Sequence, residues 1–180
     1  ELVRRFRVAD VGRSAAIFDE KKLRWLNGRF MRELPLDEYV QVVARHLGRE
    51  PDEPLRAACE IVQEKAQTLA EVWPLIRFLF ESPVEDEKAW RKTMKDRAPE
   101  ALRAAREALD GADQFDAAAV EAALAPLPER LGLKPGKVYQ PIRVAISGGT
   151  VSPGIFESLA VLGREESLRR IDTALVRLSA

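Results

Sequence analysis

His46 and Cys59 are the chain's single imidazole and single thiol, so nucleophilic or metal chemistry would have to be built on them. A structural zinc site takes about four Cys and His ligands, and one of each does not supply it. A triad using His46 as base needs a placed nucleophile, and no G-x-S-x-G turn occurs. Gly148-Gly149 is the only adjacent glycine pair. Neither a P-loop nor a G-x-G-x-x-G pattern is present to cradle nucleotide phosphates. The run Glu85-Asp86-Glu87 opens an expected helix, where carboxylates offset the partial positive charge of free amides and need no acid/base role. Cys59 sits among Leu55, Ala58, Ile61 and Val62 at helical spacing and reads as a buried structural thiol. His46, just before Leu47-Gly48, reads as a helix-end residue. No catalytic group emerges.

The elements that carry these residues are helical. Apolar residues recur at spacings of three and four, and alternating β-branched runs are nearly absent, so the fold class is all-α. Only Lys137 to Ile146 is ambiguous between helix and strand. Asp19 is placed to cap a helix with Leu23, Leu26 and Phe30 on one side, and Trp25 beside them reads as core. A second helix begins at Asp37 and ends at Gly48, and a third follows Pro54. Thr68 and Glu71 have capping-box spacing for a fourth, in which Pro74 requires a late start or a bend. Further helices are expected over 85 to 96, 99 to 110, 116 to 125, 153 to 162 and 165 to 177, with Ser152-Pro153 as a cap-then-proline start. The breaker-rich stretch from Pro126 to Lys137 reads as a connector presenting lysines to solvent.

At 180 residues and 46% hydrophobic content, the chain has material for one ordinary domain or two small helical ones. The 29 basic and 29 acidic side chains cancel overall, but they are unevenly spread. Net charge runs +5 over 1 to 32, −8 over 33 to 128 and +3 over 129 to 180. The lone thiol fits a reducing cytoplasm, and no apolar run nears the roughly 20 residues that span a bilayer. Glu1 to Phe6 lacks an initiator Met and a signal-peptide core, and reads as a cut inside a longer chain.

Three stretches go beyond generic helical patterning. Phe18-Asp19-Glu20-Lys21-Lys22-Leu23-Arg24-Trp25-Leu26-Asn27-Gly28 resembles the FDxxKLxWLNG segment of bacterial glutamyl-tRNA synthetases. Glu64 to Glu71 (EKAQTLAE) resembles their ERAKTLxE segment. Gln140 to Gly148 (QPIRVAISG), then Ser152 to Glu157 and Leu159 to Glu165, resembles their QPLRxALTG and SPxLFExLxLLGRE signature. The HIGH-like and KMSKS-like motifs of that family's catalytic domain are absent.

The resemblance implies a C-terminal fragment of such an enzyme, built from two to three small consecutive helical bundles of the class I glutamyl-tRNA synthetase anticodon-binding type. Residues 1–62 would end the stem-contact domain, 63–112 would form the first anticodon-binding helical domain, and 113–180 the second. By the same resemblance Arg143, Ser152, Pro153 and Ile155 lie against the first anticodon base. Lys65 matches a position that contacts the third base. The family tends to have Arg there, and Lys lacks its planar fork, so whether tRNA(Gln) is a partner beside tRNA(Glu) stays open. Lys21, Lys22, Arg24 and Arg29 would meet stem phosphates. The parent would use ATP and magnesium, and this fragment neither. It is expected to be inactive alone, monomeric, cytoplasmic and without membrane contact. A helical protein-interaction module is the alternative.

Overall fold

The computed structural model describes residues 4, 7, 8 and 17–179. The stretch from Glu1 to Phe6 therefore lies, apart from Arg4, outside the described residues. Among the described residues the chain is all helical, with no strand. The helices are α1 (Glu20–Glu33), α2 (Leu36–Leu47), α3 (Glu53–Val62), α4 (Leu69–Ile76), α5 (Glu87–Thr93), α6 (Ala98–Asp110), α7 (Ala117–Leu124), α8 (Leu127–Leu131), α9 (Pro135–Ser147), α10 (Ile155–Leu162) and α11 (Arg164–Ser179). A 3-10 turn, Arg77–Leu79, follows α4. Aspartates fix four of the starts by accepting amides that have no partner inside the helix. Asp19 accepts from Lys22 N at 3.0 Å, Asp52 from Leu55 N at 2.9 Å, Asp86 from Ala89 N at 3.0 Å and Asp116 from Ala119 N at 2.8 Å.

Two apolar cores result. Met31, Tyr39, Val43, Leu55, Cys59, Val62 and Ile76 close the first, from α1 to α4. Leu102, Leu109, Leu124, Ile142, Ile146, Leu159 and Ile171 anchor the second, from α6 to α11. Leu79 packs against both. Each fully buried Leu or Ile contributes about 1.5–3 kcal/mol from burial. Burial pushes the Cys59 thiol up to about 12, which keeps it protonated and unreactive, as the helical spacing around it suggests.

A buried guanidinium ties the second core to the chain segment leaving the first. Arg170 on α11 donates from Nη1 to the carbonyls of Phe78 at 2.8 Å and Ile146 at 2.5 Å, and from Nη2 to Glu81 O at 3.2 Å. Its Nε meets Glu166 Oε1 at 2.6 Å. Full pairing is what makes so buried a charge tolerable.

Several expectations from the sequence need correction. Trp25 is 54% exposed, with Leu23 and Phe30 also exposed, because α1 docks through its Asn27, Gly28 and Met31 side instead. Asn27 Nδ2 donates to Gln67 O at 2.5 Å, and a side chain at Gly28 would meet Gln67 Cα at 3.2 Å. The close approach of two backbones chose the buried face over the apolar stripe. The Pro126-to-Lys137 connector contains α8 and the start of α9. Lys137 to Ile146 is helix, with Pro141 inside it. The capping box at Thr68 is half-formed: Glu71 accepts from Gln67 N at 2.8 Å, while Thr68 caps only through its backbone. Pro74 lies inside α4, which passes into the 3-10 turn soon after it.

Candidate nucleic-acid interface

Arg143 lies on α9, and α9 ends at Gly148 in a left-handed turn that sends the chain back across the helix toward α10. The returning segment, Ser152-Pro153-Gly154, passes under the Arg143 guanidinium. Nη1 donates to Pro153 O at 2.6 Å, to Ser152 O at 3.2 Å and to Ser152 Oγ. Nε and Nη2 have no hydrogen-bond partner among the described residues. Burial pulls the Arg143 guanidinium below its ordinary value, and the Glu157 carboxylate opposes that effect. It stays charged at neutral pH with one edge committed to the turn.

Ser152, Pro153 and Ile155 are buried. This corrects the expectation that Ser152 is a helix cap: Gly154 is the N-cap of α10, with no side-chain cap bond. The Ser152 hydroxyl donates inward to Pro153 O at 3.0 Å and accepts from Arg143. Ile155 packs in the second core. In this arrangement these three residues shape the turn and present little surface of their own. Gly154 and Glu157 present more. A side chain at Gly154 would collide with the Glu157 carboxylate, so the carboxylate lies directly over Gly154. Glu157 ends the Ser152-to-Glu157 stretch that carries the resemblance but received no role there, since the expected cap at Ser152 set it five residues in and not three after the N-cap.

Lys65 follows α3 in a tight turn, its amide donating to Val62 O at 2.8 Å. Its side chain is exposed and makes no ion pair among the described residues; Glu64 instead faces Arg32 at 4.0 Å. Lys65 and the 154–157 turn, distant in sequence, line one open groove of about 550 Å³ where α3 meets α10. Glu60, Glu64 and Glu157 share that groove, so one cation stands among three carboxylates.

The α1 cations divide into two kinds. Arg24 pairs with Glu71, whose carboxyl is held below its ordinary value by the Gln67 amide and by Arg24. Arg29 pairs with Glu33 at 2.7 Å. Lys21 and Lys22 are exposed and make no ion pair among the described residues. Arg24, Asn27 and Gly28 join α1 to the Gln67–Glu71 segment, so two of the stretches singled out in the sequence meet in space.

Arg164, in the last quoted stretch, is an architectural residue that chain position alone did not reveal. It donates to Asp110 O at 2.7 Å and to Ala112 O, closing the end of α6, and stacks over Phe115 at 5.2 Å.

A model of the anticodon binding domain family matches residues 33–175. A glutamate–tRNA ligase of Anaeromyxobacter dehalogenans is 36% identical over 180 residues, covering 97% of this chain and 38% of that protein. One from Corynebacterium efficiens is 42% identical over 185 residues, with the same shares covered. The crystal structure of a glutamate tRNA ligase from Elizabethkingia meningosepticum, in complex with its amino acid, superposes with a TM-score of 0.76 at 25% identity. That likeness covers 96% of this chain and 35% of that one. The chain thus spans well under half the length of these relatives and corresponds to their C-terminal region. It belongs to the anticodon binding domain family.

Proposed function

We propose that this chain is the tRNA-reading part of a glutamate–tRNA ligase and holds the anticodon loop of tRNA(Glu) in the groove between α3 and α10. The observation that carries this reading is the juxtaposition of Lys65 with the 154–157 turn, backed by Arg143 with two donors uncommitted. Unstacked loop bases are read by donors and acceptors on their edges. A groove with one ammonium and three carboxylates repels phosphate and accepts base edges, since a carboxylate takes the amino hydrogens of cytosine and an ammonium faces ring acceptors. Arg143 does not line the groove itself; it holds the turn from behind through Nη1, and Ser152, Pro153 and Ile155 set where that turn stands.

On this reading 1–62, 63–112 and 113–180 act as the end of a stem-contact region and two anticodon-reading regions. Lys21 and Lys22 meet stem phosphates, with Arg24 and Arg29 joining them by exchanging their carboxylate partners. ATP and magnesium serve the bond-forming part of the ligase, which this chain does not include, and the chain works as a monomer in the cytoplasm. Lys65 offers a point charge where a planar fork would discriminate more sharply, so tRNA(Gln) is bound as well, more weakly.

Titration with tRNA in rising salt, beside pull-down of protein partners, tests this proposal. Salt-sensitive tRNA binding without any charging is expected. Binding of proteins with indifference to tRNA would instead mark a protein-interaction module.

A further inference from the structure

If bases enter a groove dominated by carboxylates, the charge of the RNA backbone has to be met elsewhere on the surface. The structure contains such a place, made by segments about forty residues apart. The turn after α5 and the start of α9 face each other across an opening of about 500 Å³. Lys92, Lys95 and Arg97 stand on one side, Lys134 and Lys137 on the other, with Asp96 the single carboxylate among them. All five cations are exposed. Two are partly neutralised: Arg97 is held by Glu100 at 2.6 and 2.7 Å, and Lys137 lies 4.0 Å from Asp96. Lys92, Lys95 and Lys134 make no ion pair among the described residues.

The opening is preset by its backbone. Asp96 has φ 55, and the turn around it is closed by Lys95 N to Thr93 O and Ala98 N to Lys95 O, each 3.0 Å. The N-terminal end of the 13-residue α9 adds its partial positive charge on the opposite wall. Ala98, Leu133 and Pro141 give an apolar floor with no acidic group.

Long, mobile ammonium groups around a wide mouth suit an extended polyanion whose phosphates need no fixed position. A single small anion would call for convergent, buried donors. The opening also shares α9 with Arg143. From Lys137 to Arg143 is six residues, about 9 Å along the helix and about 120° around it, so an RNA that touches both wraps around α9.

We infer that the Lys92, Lys95 and Lys134 opening is a phosphate clamp that holds the RNA backbone beside the anticodon loop without reading its sequence. The inference rests on the anticodon reading above and adds a second contact to it.

The test replaces all three side chains in the intact 180-residue chain, as Lys92→Gln, Lys95→Gln and Lys134→Gln, and measures tRNA binding against salt. Each lost phosphate contact lowers the slope of log affinity against log salt by roughly 0.7 to 0.9, so a fall of roughly 2 to 3 is expected for three contacts. The loss should be the same for tRNA(Glu) and for the same tRNA with a substituted anticodon. The lysines are exposed, so an unchanged helical circular dichroism spectrum and unfolding midpoint are expected alongside. The single variant Lys95→Gln, with a fall of about 0.7 to 0.9, gives the same test should the triple variant lose its fold. An unchanged slope, or a loss confined to the cognate anticodon, would overturn the clamp. Inorganic phosphate at constant ionic strength should not compete with tRNA; competition would assign the opening to a small anion and also overturn it. Failure of the unmodified chain to bind any tRNA would overturn the anticodon reading itself, and the clamp with it.

Discussion

Arg143 and Pro153 are joined by a 2.6 Å hydrogen bond from Nη1 to the proline carbonyl, which fixes the turn between α9 and α10 to the face of α9. The same nitrogen serves Ser152, so one side of the guanidinium is structural and the other is uncommitted. On the proposed function, substituting such a residue should change stability and recognition together.

Arg143→Ala should therefore lower stability by about 1–3 kcal/mol, because in a buried turn the Ser152 carbonyl loses its donor and the Pro153 carbonyl keeps only the Ser152 hydroxyl. Urea titration measures this. tRNA affinity should fall by roughly 1–3 kcal/mol in addition, with less loss on tRNA carrying a substituted first anticodon base. Equal loss on both tRNAs would leave Arg143 with its structural role alone.

Arg170 and Arg169 are neighbours with opposite expected outcomes. Arg170 is 6% exposed and serves the carbonyls of Phe78, Ile146 and Glu81 besides the Glu166 carboxylate. Arg170→Ala should cost about 3 kcal/mol or more, since the carbonyls of Phe78, Ile146 and Glu81 lose this donor while Glu166 keeps only Arg169. Arg169→Ala removes a largely exposed partner of Glu166 and should cost about 1 kcal/mol or less. Chemical denaturation of the two variants side by side checks the contrast.

Gly148 carries φ 78, and a side chain there would collide with Val84 O, where the 83–86 segment crosses the end of α9. Asp86 N donates to Gly148 O at 2.9 Å across the same junction. Gly148→Ala should thus cost about 1–3 kcal/mol or more, combining left-handed strain with a backbone clash. Gly132→Ala has the same kind of φ, at 61, with open space around it, and should cost about 1 kcal/mol. Thermal unfolding midpoints of the two variants should differ in that order.

Glu166 provides a pH signature. Hydrogen bonds from Arg169, then Arg170, lower its carboxyl from 4.5 to about 2. A carboxyl held low in the folded state contributes stability that is complete above about pH 4.5 and is lost as pH falls toward 2. Stability measured from pH 6 down to 2 should decline through that window, and Glu166→Gln should flatten the decline.

Much of the fold was legible because it rests on local rules. Asp19 caps where its position before an apolar stripe places it, Gly48 ends α2, and the spacing around Cys59 foretold burial. The face of α1 was not legible. Its apolar stripe points outward because Gly28 lets the helix approach Gln67 closely, a tertiary contact that periodicity does not encode. Ser152-Pro153 looked like a helix start, but Arg143 diverts the serine hydroxyl and α10 begins two residues later. The meeting of Lys65 with the 154–157 turn followed only from the family resemblance. The pairing of Lys92 and Lys95 with Lys134 had no sequence signal, since the first two lie in the acidic middle block of the chain.

Binding of the unmodified 180-residue chain to tRNA(Glu), compared with the same tRNA carrying a replaced anticodon loop, tests the recognition claim most directly. Tighter binding of the native loop is expected, by tenfold or more if two base edges are read at roughly 1–3 kcal/mol each. Equal affinity for the two tRNAs across salt concentrations would contradict it, because contact would then run through the backbone alone.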